Sequence, residues 1–214
     1  MSTSETTSTT PPAEDRQALL DFLVTQEQFG VVAVGAAVER APGTPSEAFL
    51  PVLRNAVTAE YHHAVALEAL GGQAQTTRFW IPDAAFGDGG PGLFATLEAV
   101  ETIEVSMYGV GVDAFARTND ADAARLCAQA LGVEAVHRAL TRFAQGQLGG
   151  KAEVPNDVGF ENYDWPTIAK VREALEALGI GYGVEGPGPG RFYDYAGDPV
   201  AAGVGTPVTH TTPA

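Results

Sequence analysis

Two Glu-x-x-His quartets stand out in this 214-residue chain, Glu60–His63 and Glu134–His137. Residues three apart share one face of a helix, so each quartet offers a carboxylate and an imidazole side by side. That pairing suits a divalent cation: carboxylates bridge metals, and imidazole nitrogen suits iron and manganese. A lone glutamate precedes each quartet by the same interval, Glu27 lying 33 residues before Glu60 and Glu101 lying 33 before Glu134. Glu104 follows Glu101 by one helical turn, and Tyr108 follows it by two. One quartet in a chain with 16 Glu and four His would be weak evidence; a doubled, evenly spaced set is strong.

Long helices are needed to bring these residues to one level. Apolar periodicity predicts four of them, at about 15–40, 47–70, 93–117 and 121–148. Pro42-Gly43 ends the first, Ser46 is the expected N-cap of the second, and Gly71-Gly72 is its stop. Short loops join the first to the second and the third to the fourth, so each pair should form an antiparallel hairpin. An arm of roughly 13–15 residues spans about 20 Å at about 1.5 Å per residue, which sets each lone Glu opposite a Glu-x-x-His. Heptad-like seams carry Glu27, Glu60, His63, Glu101, Glu104, Glu134 and His137 among otherwise apolar or small residues. A buried carboxylate without a partner is costly and tends to protonate. A buried salt-bridge network is the plainer alternative, but the seams hold no Arg or Lys to build one. Two divalent cations would satisfy the cluster.

The pattern resembles the ferritin-like di-iron carboxylate proteins, in which two helices each give one Glu and two others each give Glu-x-x-His. The resemblance covers about 15–148. It implies an all-α, antiparallel four-helix bundle, wired short, long, short, with segment 71–92 as the crossover. It implies Glu27, Glu60, His63, Glu101, Glu134 and His137 as ligands of two iron ions, with manganese as the alternative. Glu104 makes the third helix Glu-x-x-Glu, similar to the rubrerythrin group, where an extra carboxylate can switch onto a metal during peroxide chemistry. Tyr108 is either a core aromatic or a phenol hydrogen-bonded near the metals. Glu104 and Tyr108 are therefore the candidate catalytic residues, and O2 or H2O2 the expected oxidant. The stretch ETIEVSMYG and the tail PNDVGFENYDWPTIAKVREALEALGIGYG…GPGRFYDY resemble actinobacterial-type ferritin-like domain proteins. Iron storage and a non-catalytic, stress- or desiccation-associated role remain the alternatives to an oxidoreductase.

Composition bounds the rest. With 27 acids against 12 bases the formal charge is −15, which argues against a nucleic-acid or anionic-membrane partner. One cysteine, Cys127, excludes a disulfide framework, a cysteine zinc site, an all-cysteine iron–sulfur cluster and an attached rubredoxin module; it reads as an inert buried thiol. Residues 1–13 are polar, without the basic and apolar regions of a secretory signal, and read as a disordered tail. Apolar runs are broken short of spanning length, so no transmembrane helix is predicted. A reducing, cytoplasmic setting follows as the expectation. Residues 14–150 form the expected bundle, and 151–214 an extension wrapping it. The extension has one short helix, about 166–178, a loop or irregular strand GIGYGVEGPGPGRFYDY, and a frayed end from about 199. Trp80, Phe160, Tyr163, Trp165, Tyr182, Phe192 and Tyr193 are expected to anchor the crossover and the extension. His62 is expected at a surface or interface, and His210 is expected to have no role. Small seam residues such as Ala56 and Ala130 leave room for O2 or H2O2 rather than a large organic molecule, and a homodimer is the assembly allowed for.

Overall fold

The computed structural model describes residues 15–151, 154–161 and 164–214. The stretch 1–13 and Tyr163 lie outside the described residues. The fold is mostly helical, with α1 Arg16–Arg40, α2 Leu50–Ala69, α3 Pro91–Arg117, α4 Ala121–Gln147 and α5 Ile168–Ala177. Local chemistry sets the helix starts. The Asp15 and Asp120 side chains accept from the backbone N–H of Ala18 and Ala123, capping α1 and α4. Pro51 and Pro91 sit in the first turns of α2 and α3, where a missing N–H costs nothing. That placement corrects the expected cap at Ser46: Pro45–Phe49 is a separate 3-10 turn, and the Ser46 N–H donates to Gly89 O at 2.8 Å.

Helices α1 and α2 pack as one hairpin and α3 and α4 as another, and the hairpins meet through α1 against α3 and α2 against α4. Between Leu19 and Val38 nearly every residue of α1 is buried, because other elements surround it. Its length and composition would let it cross a membrane, yet 78% of its most apolar window is buried inside the fold.

The all-α expectation needs one correction. A three-stranded antiparallel sheet, in the order β2-β1-β3, joins β1 (Arg78–Pro82) to β2 (Gly181–Tyr182) and β3 (Gly190–Asp194). The central strand lies in the α2–α3 connection, and both edge strands come from the C-terminal stretch. Phe79 packs edge-on against Phe29 of α1 at 5.7 Å, while Trp80 meets Phe192 at 5.3 Å. The sheet thus bolts the crossover and the extension onto α1. Two further expectations change. Phe160 is 92% exposed, so it does not anchor the extension on the described residues. The segment after 199 is tied down: Thr206 N–H donates to Arg54 O at 3.1 Å, its hydroxyl pairs with Asn55 at 2.5 Å, and Arg125 donates to Ala214 O at 2.6 Å.

Candidate metal centre

Glu27 comes from α1, Glu60 and His63 from α2, Glu101 from α3, and Glu134 and His137 from α4. The structure brings all six together midway along the two hairpins. They form two overlapping sets, each able to hold a metal ion. In Glu27, Glu60, His63 and Glu134 the donor atoms lie within 4.8 Å of one another, as they do in Glu60, Glu101, Glu134 and His137. Glu60 and Glu134 belong to both. Each set takes its lone Glu and its His from one hairpin and a shared carboxylate from the other, the outcome of equal arms in both hairpins.

The donor atoms are only partly satisfied by one another: His137 Nδ1 pairs with Glu134 Oε2 at 3.0 Å, and most of the others lack a partner. His63 Nδ1 lies 2.8 Å from Glu134 and 3.3 Å from Glu27, yet neither contact has hydrogen-bond geometry. Both Glu60 oxygens and one oxygen each of Glu27, Glu101 and Glu134 are buried without a hydrogen bond. Native interiors rarely leave such atoms unpaired. Carboxylate oxygens and an imidazole nitrogen that converge largely without pairing fit divalent cations of the iron or manganese type.

Burial dominates the electrostatics. It raises Glu27 against the pull of His63. Together with neighbouring carboxylates it raises Glu101 and Glu104 well above the ordinary range and pushes Glu60 up to about 8. Burial alone would lower both imidazoles and raise Glu134. Their mutual attraction reverses all three: His63 is held well above its ordinary value, His137 at about 10, and Glu134 below the carboxylate range. Without a cation, protons balance this cluster.

Glu104 is buried beside the two sets but belongs to neither. Its Oε1 accepts from Gln26 Nε2 at 3.0 Å, and Gln26 Oε1 accepts from the Tyr182 hydroxyl at 2.5 Å. Strand β2 of the extension therefore reaches the centre. Glu104 also borders, with Glu60 and Glu101, a cavity of about 30 Å3 under Phe86 and Ile81, room for one small molecule. The Tyr108 hydroxyl donates to Glu27 Oε1, and its ring stands edge-on to His63 at 6.0 Å. Cys127 is buried, and burial pushes its thiol up to about 12. His62 is half-buried, and with His63, His137 and His210 it lines a larger cavity.

Three residues of the site escaped the sequence reading. Gln26 sits beside Glu27 but off the seam, and Tyr182 is distant in the chain. Gly30 carries the one available signal, a glycine inside a helix with no turn to make. A β-carbon there would lie 2.7 Å from Glu60 Oε2, so the bare backbone makes room for that carboxylate. The chain matches no family model, no curated protein and no solved structure.

Proposed function

We propose that the chain is a ferritin-like four-helix bundle holding two metal ions, iron by preference and manganese as the alternative, and acting as an oxidoreductase on O2 or H2O2. Glu27, Glu60, His63, Glu101, Glu134 and His137 are the ligands, with Glu60 and Glu134 shared. The observation that carries this reading is the pair of overlapping four-residue sets, most of whose carboxylate oxygens are buried without a hydrogen bond. A bound metal pair would supply electrons and a Lewis-acidic face to the oxidant.

The chain's own residues divide the remaining work. Tyr108 holds one oxygen of Glu27 by a hydrogen bond and leaves the other for metal, as outer partners of metal ligands commonly do. Glu104 keeps a proton at its carboxyl, because burial raises it, and delivers or takes that proton beside the small cavity it borders. The apolar wall of Phe86, Leu97 and Ile81 keeps bulk water from that side. The acidic surface, −15 overall, suits a cytoplasmic protein with no nucleic-acid or membrane partner.

Metal analysis of protein expressed with iron and with manganese, followed by stopped-flow mixing with O2 and H2O2, tests this reading. Uptake of about two metals per chain and an oxidant-dependent absorbance change are expected. Uptake of neither metal would sink the centre. Uptake with no reaction toward either oxidant would leave a structural metal and overturn the oxidoreductase. A large hollow oligomer on a sizing column would point to storage instead.

A further inference from the structure

The two imidazoles are the least enclosed members of the centre. The His63 side chain is 14% exposed and that of His137 is 9%, against 0–4% for the side chains of Glu27, Glu60, Glu101 and Glu134. Both open onto one cavity of about 800 Å3 between α2, α4 and the segment 207–214. That segment is held in place from both sides, by Thr206 on α2 and by Arg125 and Gln129 of α4 on Ala214. A single water molecule takes about 30 Å3, so the space far exceeds what O2 or H2O2 requires. It falls in the range of organic-ligand sites.

The lining has a definite chemistry. The chain carries 27 acids and 12 Lys or Arg, yet among the described residues no acidic, Lys or Arg side chain lines this cavity. Alanines and valines of α2 and α4 form its walls. Its polar groups are neutral amides, hydroxyls and the four histidines, including Asn55, Gln129 and His210. Once metal holds His63 and His137 as neutral ligands, an anion or a cation entering here would give up part of its hydration with no countercharge from the side chains named. A mostly apolar, uncharged molecule loses nothing comparable and gains from burial.

We propose that this cavity binds an uncharged, largely apolar organic molecule beside the centre. The proposal rests on the dinuclear reading above for the metals next to that molecule and adds an organic ligand to the small oxidant. The molecule lies against the exposed edges of His63 and His137, opposite the small cavity at Glu104. The oxidant and the organic ligand thus have separate compartments on two sides of the carboxylate layer.

A matched pair of fluorescent probes tests it: N-phenyl-1-naphthylamine, which is neutral, and its sulfonate, 8-anilinonaphthalene-1-sulfonate. Titrations use the full chain in apo, Zn(II)-loaded and Co(II)-loaded forms, with metal content measured on each sample. The neutral probe is expected to bind the Zn(II)- and Co(II)-loaded forms at least tenfold more tightly than the sulfonate, and the apo form, whose two lining imidazoles are protonated, less selectively. Co(II) at the centre should quench the bound probe where Zn(II) does not. A β-carbon at Gly132, which lines the cavity, meets nothing within 4 Å, and the same holds at Gly146, which does not line it. Gly132→Phe should therefore place a ring at the cavity wall without disturbing the fold and weaken the probe at least tenfold, while Gly146→Phe leaves it unchanged. No binding, equal binding of the sulfonate to the metal-loaded forms, or an unaffected Gly132→Phe would overturn the proposal. Loss of probe binding as the chain dimerises would also overturn it, by showing that a second copy covers the cavity. Absence of bound metal with probe binding intact would sink the dinuclear reading separately, while leaving the binding site.

Discussion

The Tyr108 hydroxyl fixes one oxygen of Glu27, and Gly30 opens the space that one oxygen of Glu60 occupies. Neither residue belongs to the two ligand sets, so each can be changed while all six donors remain. Tyr108→Phe removes the hydrogen bond and keeps the ring against His63. Metal affinity should fall about tenfold or more, the usual cost of losing a ligand's outer partner. Equilibrium dialysis against Mn(II) measures it, and an unchanged affinity would separate Tyr108 from the centre. Gly30→Ala acts differently. Its new methyl group would crowd the Glu60 side chain, at 2.7 Å from Oε2 and 3.2 Å from Cγ, and push that carboxylate aside, while alanine favours the helix over glycine by about 1 kcal/mol. The apo protein should therefore melt no lower than the parent, yet hold metal about tenfold more weakly. Destabilised apo protein with unaltered affinity would show that the glycine serves packing alone.

Among the elements, helices and sheet were unequally legible. The lone glutamates and the Glu-x-x-His quartets recur at 33-residue intervals, and helical rise converts equal intervals into equal depth. Their convergence could thus be anticipated from spacing. The sheet could not, since its strands run five, two and five residues and pair Arg78 with Asp194, more than a hundred residues away. The Gly/Pro-rich run reads as loop or irregular strand by composition, which gives no pairing partner. Its glycines in fact pack closely on Trp80: a β-carbon at Gly186 would lie 2.6 Å from the indole and 2.3 Å from Gly179 O, and one at Gly190 would lie 2.7 Å from Ile81 O. Gln26 and Tyr182 were hidden for the same reason, because strand pairing brings Tyr182 to α1. Backbone cannot yield as a flexible side chain can. Gly186→Ala should destabilise the protein by about 1–3 kcal/mol, the typical cost of overpacking. Urea unfolding measures that loss, and a stability equal to the parent's would mean that the run does not grip the indole.

At the scale of the whole molecule, the centre links stability to pH and metal. Glu60 has an ordinary value of 4.5 and reaches about 8 in the apo fold, and His137 moves from 6.5 to about 10. Both groups bind protons more tightly folded than unfolded. Glu60 therefore costs the fold nothing in acid and weighs against it as pH rises from about 4.5 towards 8, where folding holds the proton that the unfolded chain has released. His137 contributes fully below about 6.5, and that contribution is lost as pH rises towards about 10. The lowered carboxylate, Glu134, changes stability only in acid, below its ordinary value of 4.5. From about pH 5.5 to about pH 8 the two raised groups act in one direction, so the apo protein should melt progressively lower. Metal works the opposite way. Its ligands must be deprotonated, so affinity grows with pH, and a ligand that binds only the folded state stabilises it more as affinity rises. The gap in melting temperature between Mn(II)-loaded and chelator-stripped protein should therefore widen steadily across that interval. Melts followed by circular dichroism at matched ionic strength measure it. A gap independent of pH would mean that the buried carboxylates and imidazoles do not exchange their protons for metal.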